Sequence, residues 1–307
     1  MTEPAVGVSD PAFEKEERLK AILSAYGRIA VAYSGGVDST YLAAVAHEVL
    51  GKDAELIIAD SPSIPRSELA AAKALARERG WNLTLIKTNE FDREEYLENG
   101  PLRCYHCKTE LFQQMEQYAR DKGVMVTAYG AIAEDALDLT RVGHRAAKER
   151  AVAAPLQEVG LTKEEIRKLS RHRGLPTADK ASFACLASRF PTGIRVSREA
   201  ISAVERAEET LKSFGFHQYR VRHHGDLCRI EVEPVEFARL LEPGLRDAIV
   251  RSCRDAGYRF VTLDLAGYHS GSSAIAPDAS LGHASAGMMP STSGISRNDE
   301  LSDGSGV

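Results

Sequence analysis

Apolar residues recur at helical spacing in the first stretch of the chain, at Phe13, Leu19, Ile22, Leu23 and Tyr26. This spacing predicts a helix over 13–26. Arg28–Tyr33 is apolar without alternation and reads as a short buried strand. The turn Ser34-Gly-Gly-Val-Asp38 follows it, and Ser39–Leu50 is apolar enough for a packed helix. Glu55–Ala59 predicts a second buried strand, Ser67–Arg79 a helix stopped by Gly80, and Asn82–Thr88 an alternating strand. A helix over Lys108–Lys122, ended by Gly123, leads to a strand over Val124–Tyr129. Strands alternating with helices predict a parallel sheet covered on both faces. Ligands of such sheets bind beyond the carboxyl ends of the strands, where the Ser34–Ser39 turn sits.

The pattern then changes. Thr162-Lys-Glu-Glu165 is a capping box that opens a helix to about Arg173, closed by Gly174 and Pro176. Lys180–Arg195 has no periodicity and reads as a loop. Ser197–Phe214 is a long amphipathic helix. Gln218–His223 and Leu227–Val232 predict a hairpin turned at His224-Gly-Asp226. Pro234–Ala256 is helical with a break at Pro243, and Arg259–Leu265 is a final strand. The expected organisation is a disordered lead over 1–12, an α/β domain over 13–190 and a smaller α+β domain over 191–268. A Ser-, Gly- and Ala-rich tail over 269–307, with no aromatic after Tyr268, cannot bury enough apolar surface to order itself.

Composition narrows the function classes. A length of 307 residues fits about two domains. Net charge is -5, with 39 Lys+Arg against 44 Asp+Glu, which argues against a dedicated nucleic-acid binder. No apolar run approaches the roughly 18 residues of a membrane span. The acidic N-terminal segment lacks the apolar core of a secretory signal. The expectation is a cytoplasmic protein with neither a membrane nor a nucleic acid as partner. The 5 cysteines are odd in number, so a disulfide framework is not expected and the thiols stay open to metal or sulfur chemistry.

The strongest motif is Ser34-Gly35-Gly36-Val37-Asp38-Ser39, set between a buried strand and a helix start. Two glycines let backbone approach an anion closely, and the exposed N–H groups and helix N-terminus favour negative charge. Ser34 and Ser39 add hydroxyl donors, and Asp38 can hold Mg²⁺ or orient the ligand. The plain alternative is a Gly-rich turn without a ligand. The motif is not Walker A. It resembles the PP-loop of the N-type ATP pyrophosphatases, of adenine nucleotide alpha hydrolase-like fold. That resemblance implies cleavage of ATP between the α- and β-phosphates, adenylylation of a substrate, and pyrophosphate bound in the turn.

Cys104 and Cys107 form a CxxC pair in Arg103-Cys-Tyr-His-Cys-Lys108, which alone suits zinc, iron–sulfur or redox sites, or none. Cys185 lies in the polar loop before Leu186-Ala-Ser-Arg189. Cys228 and Cys253 sit in apolar stretches and read as core. Several segments together resemble the LarE family, the ATP-dependent sulfur transferases of nickel-pincer nucleotide biosynthesis. They are Ala59-Asp-Ser-Pro-Ser-Ile-Pro65, the CxxC segment, Leu161-Thr-Lys-Glu-Glu-Ile-Arg167, Gly174-Leu-Pro176, Asp179-Lys180 and Cys185-Leu-Ala-Ser-Arg189. The match spans roughly 13–265. It implies that a carboxylate of pyridinium-3,5-biscarboxylic acid mononucleotide is adenylylated and converted to a thiocarboxylate. One branch of the family sacrifices the sulfur of a cysteine matched by Cys185. The other holds a [4Fe–4S] cluster on three cysteines, matched by Cys104, Cys107 and Cys185, and passes on a bound sulfide. The cluster reading is favoured here. The resemblance also implies a homo-oligomer, a trimer or hexamer; the source of the sulfide is not legible.

The anionic substrate calls for cations. Arg189 is the first candidate, because arginine can meet a phosphate with two hydrogen bonds. Arg220 and Arg222 share one strand face and offer a second anion site; the alternative is pairing with Glu231 and Glu233. Lys180 is placed to lower the Cys185 thiol's pKa. The family's usual amide-rich stretch is replaced by Gly130-Ala-Ile-Ala-Glu-Asp135, and Val142 stands in place of a proline. Asp135 and Asp138 remain as metal or ribose contacts. The rival readings are a PP-loop tRNA thiolase, an amidotransferase-type synthetase and a non-catalytic adenine-nucleotide-binding protein.

Overall fold

β1 (Ile29–Ala32) is the strand around which the first sheet is built. Its residues carry no polar side chain, so it accepts cover on both faces, and Ile29, Ala30 and Val31 are fully buried. β2 (Ala54–Asp60) and β4 (Val126–Tyr129) flank it, and β3 (Asn82–Lys87) lies beyond β2. The order is β3-β2-β1-β4 and every pairing is parallel. The chain is described from a computed structural model over residues 10–136, 142–181 and 184–269. The expected tail, His269 excepted, lies outside the described residues, as do residues 1–9, Asp138 and Arg141.

Parallel neighbours require crossovers, and helices supply them. α1 (Pro11–Tyr26) begins slightly earlier than its apolar spacing suggests. Asp10 accepts a hydrogen bond from the Ala12 N–H at 3.1 Å, and Pro11 occupies the first helical position. α2 (Val37–Leu50) and α3 (Arg66–Glu78) cross from β1 to β2 and from β2 to β3. The longer path from β3 to β4 holds α4 (Glu94–Leu97) and α5 (Arg103–Lys122). α6 (Gly143–Glu149), α7 (Pro155–Glu158) and α8 (Lys163–His172) follow β4. Successive strands run outward from β1 on one side, whereas β4 lies on the other. The crevice between β1 and β4 is therefore the switch point at which such sheets receive ligands.

The second sheet is built from β5 (Tyr219–His224), β6 (Leu227–Val232) and β7 (Phe260–Leu263). β5 and β6 form the expected antiparallel hairpin, and β7 adds parallel to β6. α9 (Arg198–Ser213), α10 (Phe237–Leu240) and α11 (Pro243–Asp255) accompany it, with the break at Pro243 where the sequence places it. Val221, Cys228, Ile230 and Val232 face Ile201, Val204, Leu211, Ile249 and Cys253 in one core, so Cys228 and Cys253 are packing residues. Phe91 and Tyr96, and Leu186, Ala187 and Phe190 of the Cys185 loop, join the same core. The fold class is the expected one, a helix-covered parallel α/β sheet of PP-loop type beside a smaller mixed sheet. No described helix is long and apolar enough to cross a membrane.

Candidate active site

β1 runs into the phosphate turn. Gly35 sits at φ +70°, and a Cβ there would lie 2.7 Å from Ala72 Cβ on α3, so both backbone and space demand glycine. Gly36 caps α2 with no side-chain hydrogen bond to its first amides, and Val37 is the first helical residue. That helix end therefore keeps its attraction for an anion. Ser39 Oγ accepts from the Ser34 N–H at 3.1 Å and stands 2.9 Å from Ser34 Oγ, closing the turn on itself. Gly130, at the end of β4, presses its backbone against the turn: a Cβ there would come within 3.0 Å of Ser39 N. A cavity of about 180 Å³ opens between these residues, Ile57, Tyr129 and Lys108.

Three lysines converge on this turn. Lys163, the first residue of α8, donates from Nζ to both Asp38 oxygens at 2.6 Å. Lys180 donates to the Gly35 carbonyl at 3.0 Å and pairs with Glu68 at 2.5 Å. It serves the turn, and no contact among the described residues carries it to Cys185. Lys108 Nζ lies over the Phe112 and Tyr129 rings, at 5.6 and 5.7 Å from their centroids, and makes no ion pair among the described residues. In the sequence Lys163 stands within the capping box and the Leu161–Arg167 segment, with no contact to the phosphate turn expected of it. Its position directly after the cap, on a helix aimed at the turn, is the signal that was there to find.

Cys104 and Cys107 sit in the first turns of α5, which opens at Arg103 and not at Lys108 as expected. Cys185 precedes the 3₁₀ turn Leu186–Arg189. The Leu186 N–H donates to the Ser63 carbonyl at 2.8 Å and draws this loop onto the β2–α3 connection. Arg103 Nη1 donates to the Ala187 carbonyl at 2.6 Å and ties the loop to α5. All three thiols line one cavity of about 350 Å³ with Tyr96, Arg103 and Glu90. Ser34, Ala59, Ile64, Lys108 and Leu111 belong to its wall and also to the wall of the phosphate cavity. Burial pushes the Cys107 thiol up to about 12, and the neighbouring Cys185 and Glu90 add to the shift. Among the described residues no three His, Cys, Asp or Glu converge on a single ion. A cluster does not ask for that, since each thiolate takes a different iron. The donor set, three thiols around one cavity, fits it.

The three arginines expected at the substrate part company. Arg189 is 1 % exposed. Its guanidinium meets Glu208 at 2.8 and 3.0 Å and donates to the Ala184 and Cys185 carbonyls, so it holds the cysteine loop in shape. Arg222 forms a buried two-point pair with Glu231, at 2.9 Å in each bond, and donates to the Ser188 carbonyl at 3.0 Å. Arg220 forms no ion pair among the described residues; it bonds the Tyr219 carbonyl at 2.7 Å and lies over the Tyr268 ring. Burial, then the charges of Arg189 and Arg222, lower its pKa from the ordinary arginine value. Arg220 and Lys180 line a further cavity of about 170 Å³. Asp135 Oδ2 accepts from the Ile132 N–H at 3.0 Å, within its own turn.

No family model matches the chain. An uncharacterized protein of Synechocystis is 40% identical over 84% of this chain and 96% of its own length. The pyridinium-3,5-bisthiocarboxylic acid mononucleotide synthase of Lactiplantibacillus plantarum is 33% identical over 84% of this chain and 92% of its own. An uncharacterized protein of Methanocaldococcus jannaschii is 28% identical over 79% of this chain and 91% of its own. With the phosphate turn, the facing thiols and this extent of likeness to a named synthase in hand, the chain belongs to the LarE family of pyridinium-3,5-bisthiocarboxylic acid mononucleotide synthases.

Proposed function

We propose that the chain is an ATP-dependent sulfurtransferase that acts on pyridinium-3,5-biscarboxylic acid mononucleotide. The observation that carries this reading is the wall common to the phosphate cavity and the three-thiol cavity. A carboxylate of the substrate attacks the α-phosphate of ATP, and the Ser34–Ser39 turn keeps the pyrophosphate. Asp38 is the residue that would hold Mg²⁺, which would supply charge neutralisation at the phosphates. Lys163, paired with Asp38 in this structure, then has its ammonium group to give to a phosphate oxygen. Lys108 faces both cavities and suits the charge of the phosphate joined to the acyl group.

A [4Fe–4S] cluster on Cys104, Cys107 and Cys185 would supply an iron site at which inorganic sulfide is presented. Arg103 and Arg189 fix the backbone that carries Cys185, and Arg220 is the substrate's anion contact. The nucleotide-binding part extends to about residue 190, and the α+β part that follows supplies Arg220. We further propose a cytoplasmic homo-oligomer, a trimer or hexamer.

Anaerobic protein given ATP, Mg²⁺ and the biscarboxylic mononucleotide is expected to release pyrophosphate only when both substrates are present. Cys185→Ser should keep that release and lose thiocarboxylate formation. Iron and sulfide bound to an intact chain after turnover support the cluster. Loss of the mass of H₂S at Cys185 would show a consumed thiol instead. Absence of pyrophosphate would sink the reading.

A further inference from the structure

The three-thiol cavity contains a carboxylate that the proposed reaction leaves unused. Glu90 opens the short 3₁₀ turn after β3 and is 1 % exposed. Its Oε1 accepts a hydrogen bond from Ser61 Oγ, which in turn stands 2.8 Å from Ser63 Oγ. Its Oε2 is buried and meets no donor among the described residues. No lysine or arginine among the described residues pairs with it, although the cavity it lines holds Arg103. Arg103 is committed to Asn99, the Ala187 carbonyl and Cys104 Sγ. A buried carboxylate oxygen without a partner is costly, so a cation or a hydrogen-bond donor belongs beside it. The same wall carries the Thr88 and Tyr96 hydroxyls, Lys108 and the thiols of Cys104, Cys107 and Cys185, and none of them is a partner of Glu90 Oε2 among the described residues.

We propose that Glu90 is the fourth protein ligand of the cluster: its free carboxylate oxygen holds the iron that the three cysteines leave open, and yields it to hydrosulfide. The assignment rests on the cluster reading above. Three thiolates occupy three irons and leave one position, which a carboxylate can fill. In the exchange one iron–oxygen bond breaks and one iron–sulfur bond forms. One singly charged anion replaces another, and no electron moves. The released carboxylate keeps the Ser61 hydroxyl on Oε1, so it stays in place to return. The open iron is thereby closed to water and to stray ligands between turnovers.

The test uses the full chain and Glu90→Gln, each reconstituted anaerobically with isotopically enriched iron and sulfide, then followed by Mössbauer spectroscopy and hydrosulfide titration. The wild-type chain should show one iron distinct from the cysteine-bound ones, and Glu90→Gln should change that component alone. The variant should bind hydrosulfide about tenfold more tightly, the penalty that a position open only about one-tenth of the time imposes on the wild type. Glu90→Asp, with the charge on a shorter stem, should shift the same component and serves if the glutamine variant does not fold. Unchanged spectra and equal hydrosulfide affinities in loaded wild type and variant would overturn the ligand with the cluster reading intact. A wild-type chain that takes up no iron would overturn both.

Discussion

Arg220 and Arg222 stand two positions apart on β5, yet their surroundings give them opposite duties. Arg222 and Glu231 are both buried, and each supplies the charge that the other needs there. Arg222→Ala removes a two-point pair from the buried Glu231, whose bond to Arg229 at 3.1 Å remains, and should cost about 3 kcal/mol of stability. Arg220 has no ion-paired carboxylate to abandon among the described residues. Arg220→Ala should change stability by less than about 1 kcal/mol. It should raise the KM for the mononucleotide about tenfold, the worth of a charge-assisted hydrogen bond. Thermal melts and steady-state kinetics on the two variants separate the duties; a fall in stability shared equally would contradict them. Sequence alone could not divide the pair, because period two places both arginines on one face. The division comes from Glu231 reaching along the strand to Arg222, and no spacing records that choice. Arg189 misled for a like reason: Glu208, which neutralises it, arrives from a helix in another element.

At the scale of elements, α8 is the part whose start matters most. Thr162 accepts from the Glu165 N–H at 3.3 Å, and Glu165 accepts from the Thr162 N–H at 2.9 Å, completing the capping box read from sequence. Lys15 reinforces the box with a bond of 2.7 Å to Glu165. Since Lys163 follows the cap directly, the box also aims an ammonium group at Asp38. Thr162→Ala should cost about 1 kcal/mol of stability and raise the KM for ATP. Thr162→Ser should restore both, and a KM that ignores the cap would show that Lys163 does not depend on it. Most of the parallel sheet was legible because buried strands such as β1 write themselves as unbroken apolar runs. The start of α5 was not. Its first turn is Arg-Cys-Tyr-His-Cys, of which Arg103, Cys104 and Cys107 line the thiol cavity, so the apolar period begins late. The four-residue α4 and α7 are too short to show a period at all.

Across the whole molecule, charge pairs and a half-buried histidine set the response to acid. Burial would raise Glu16, but hydrogen bonds from Arg173 and Tyr41 outweigh it and hold the carboxyl below its ordinary 4.5. Glu48 and Glu165 are lowered in the same balance of burial against cationic partners. Burial, then His224, lowers His223 from 6.5. In each case the unfolded chain binds more protons in the window between the folded and the ordinary value, so stability falls as pH falls. The melting temperature should decline first below pH 6.5 through His223, and again below pH 4.5 through the glutamates. A melting temperature flat from neutral pH into that acid range would contradict this balance. One feature of the assembled site bears on how the enzyme avoids waste. Ser34, Ala59, Ile64, Lys108 and Leu111 face two chambers at once. On the proposed reaction the activated acyl group is born in one chamber and meets sulfur in the next, past the five residues common to both. Such mixed anhydrides hydrolyse readily. On that reading the shortness of the hand-over is what limits the leak.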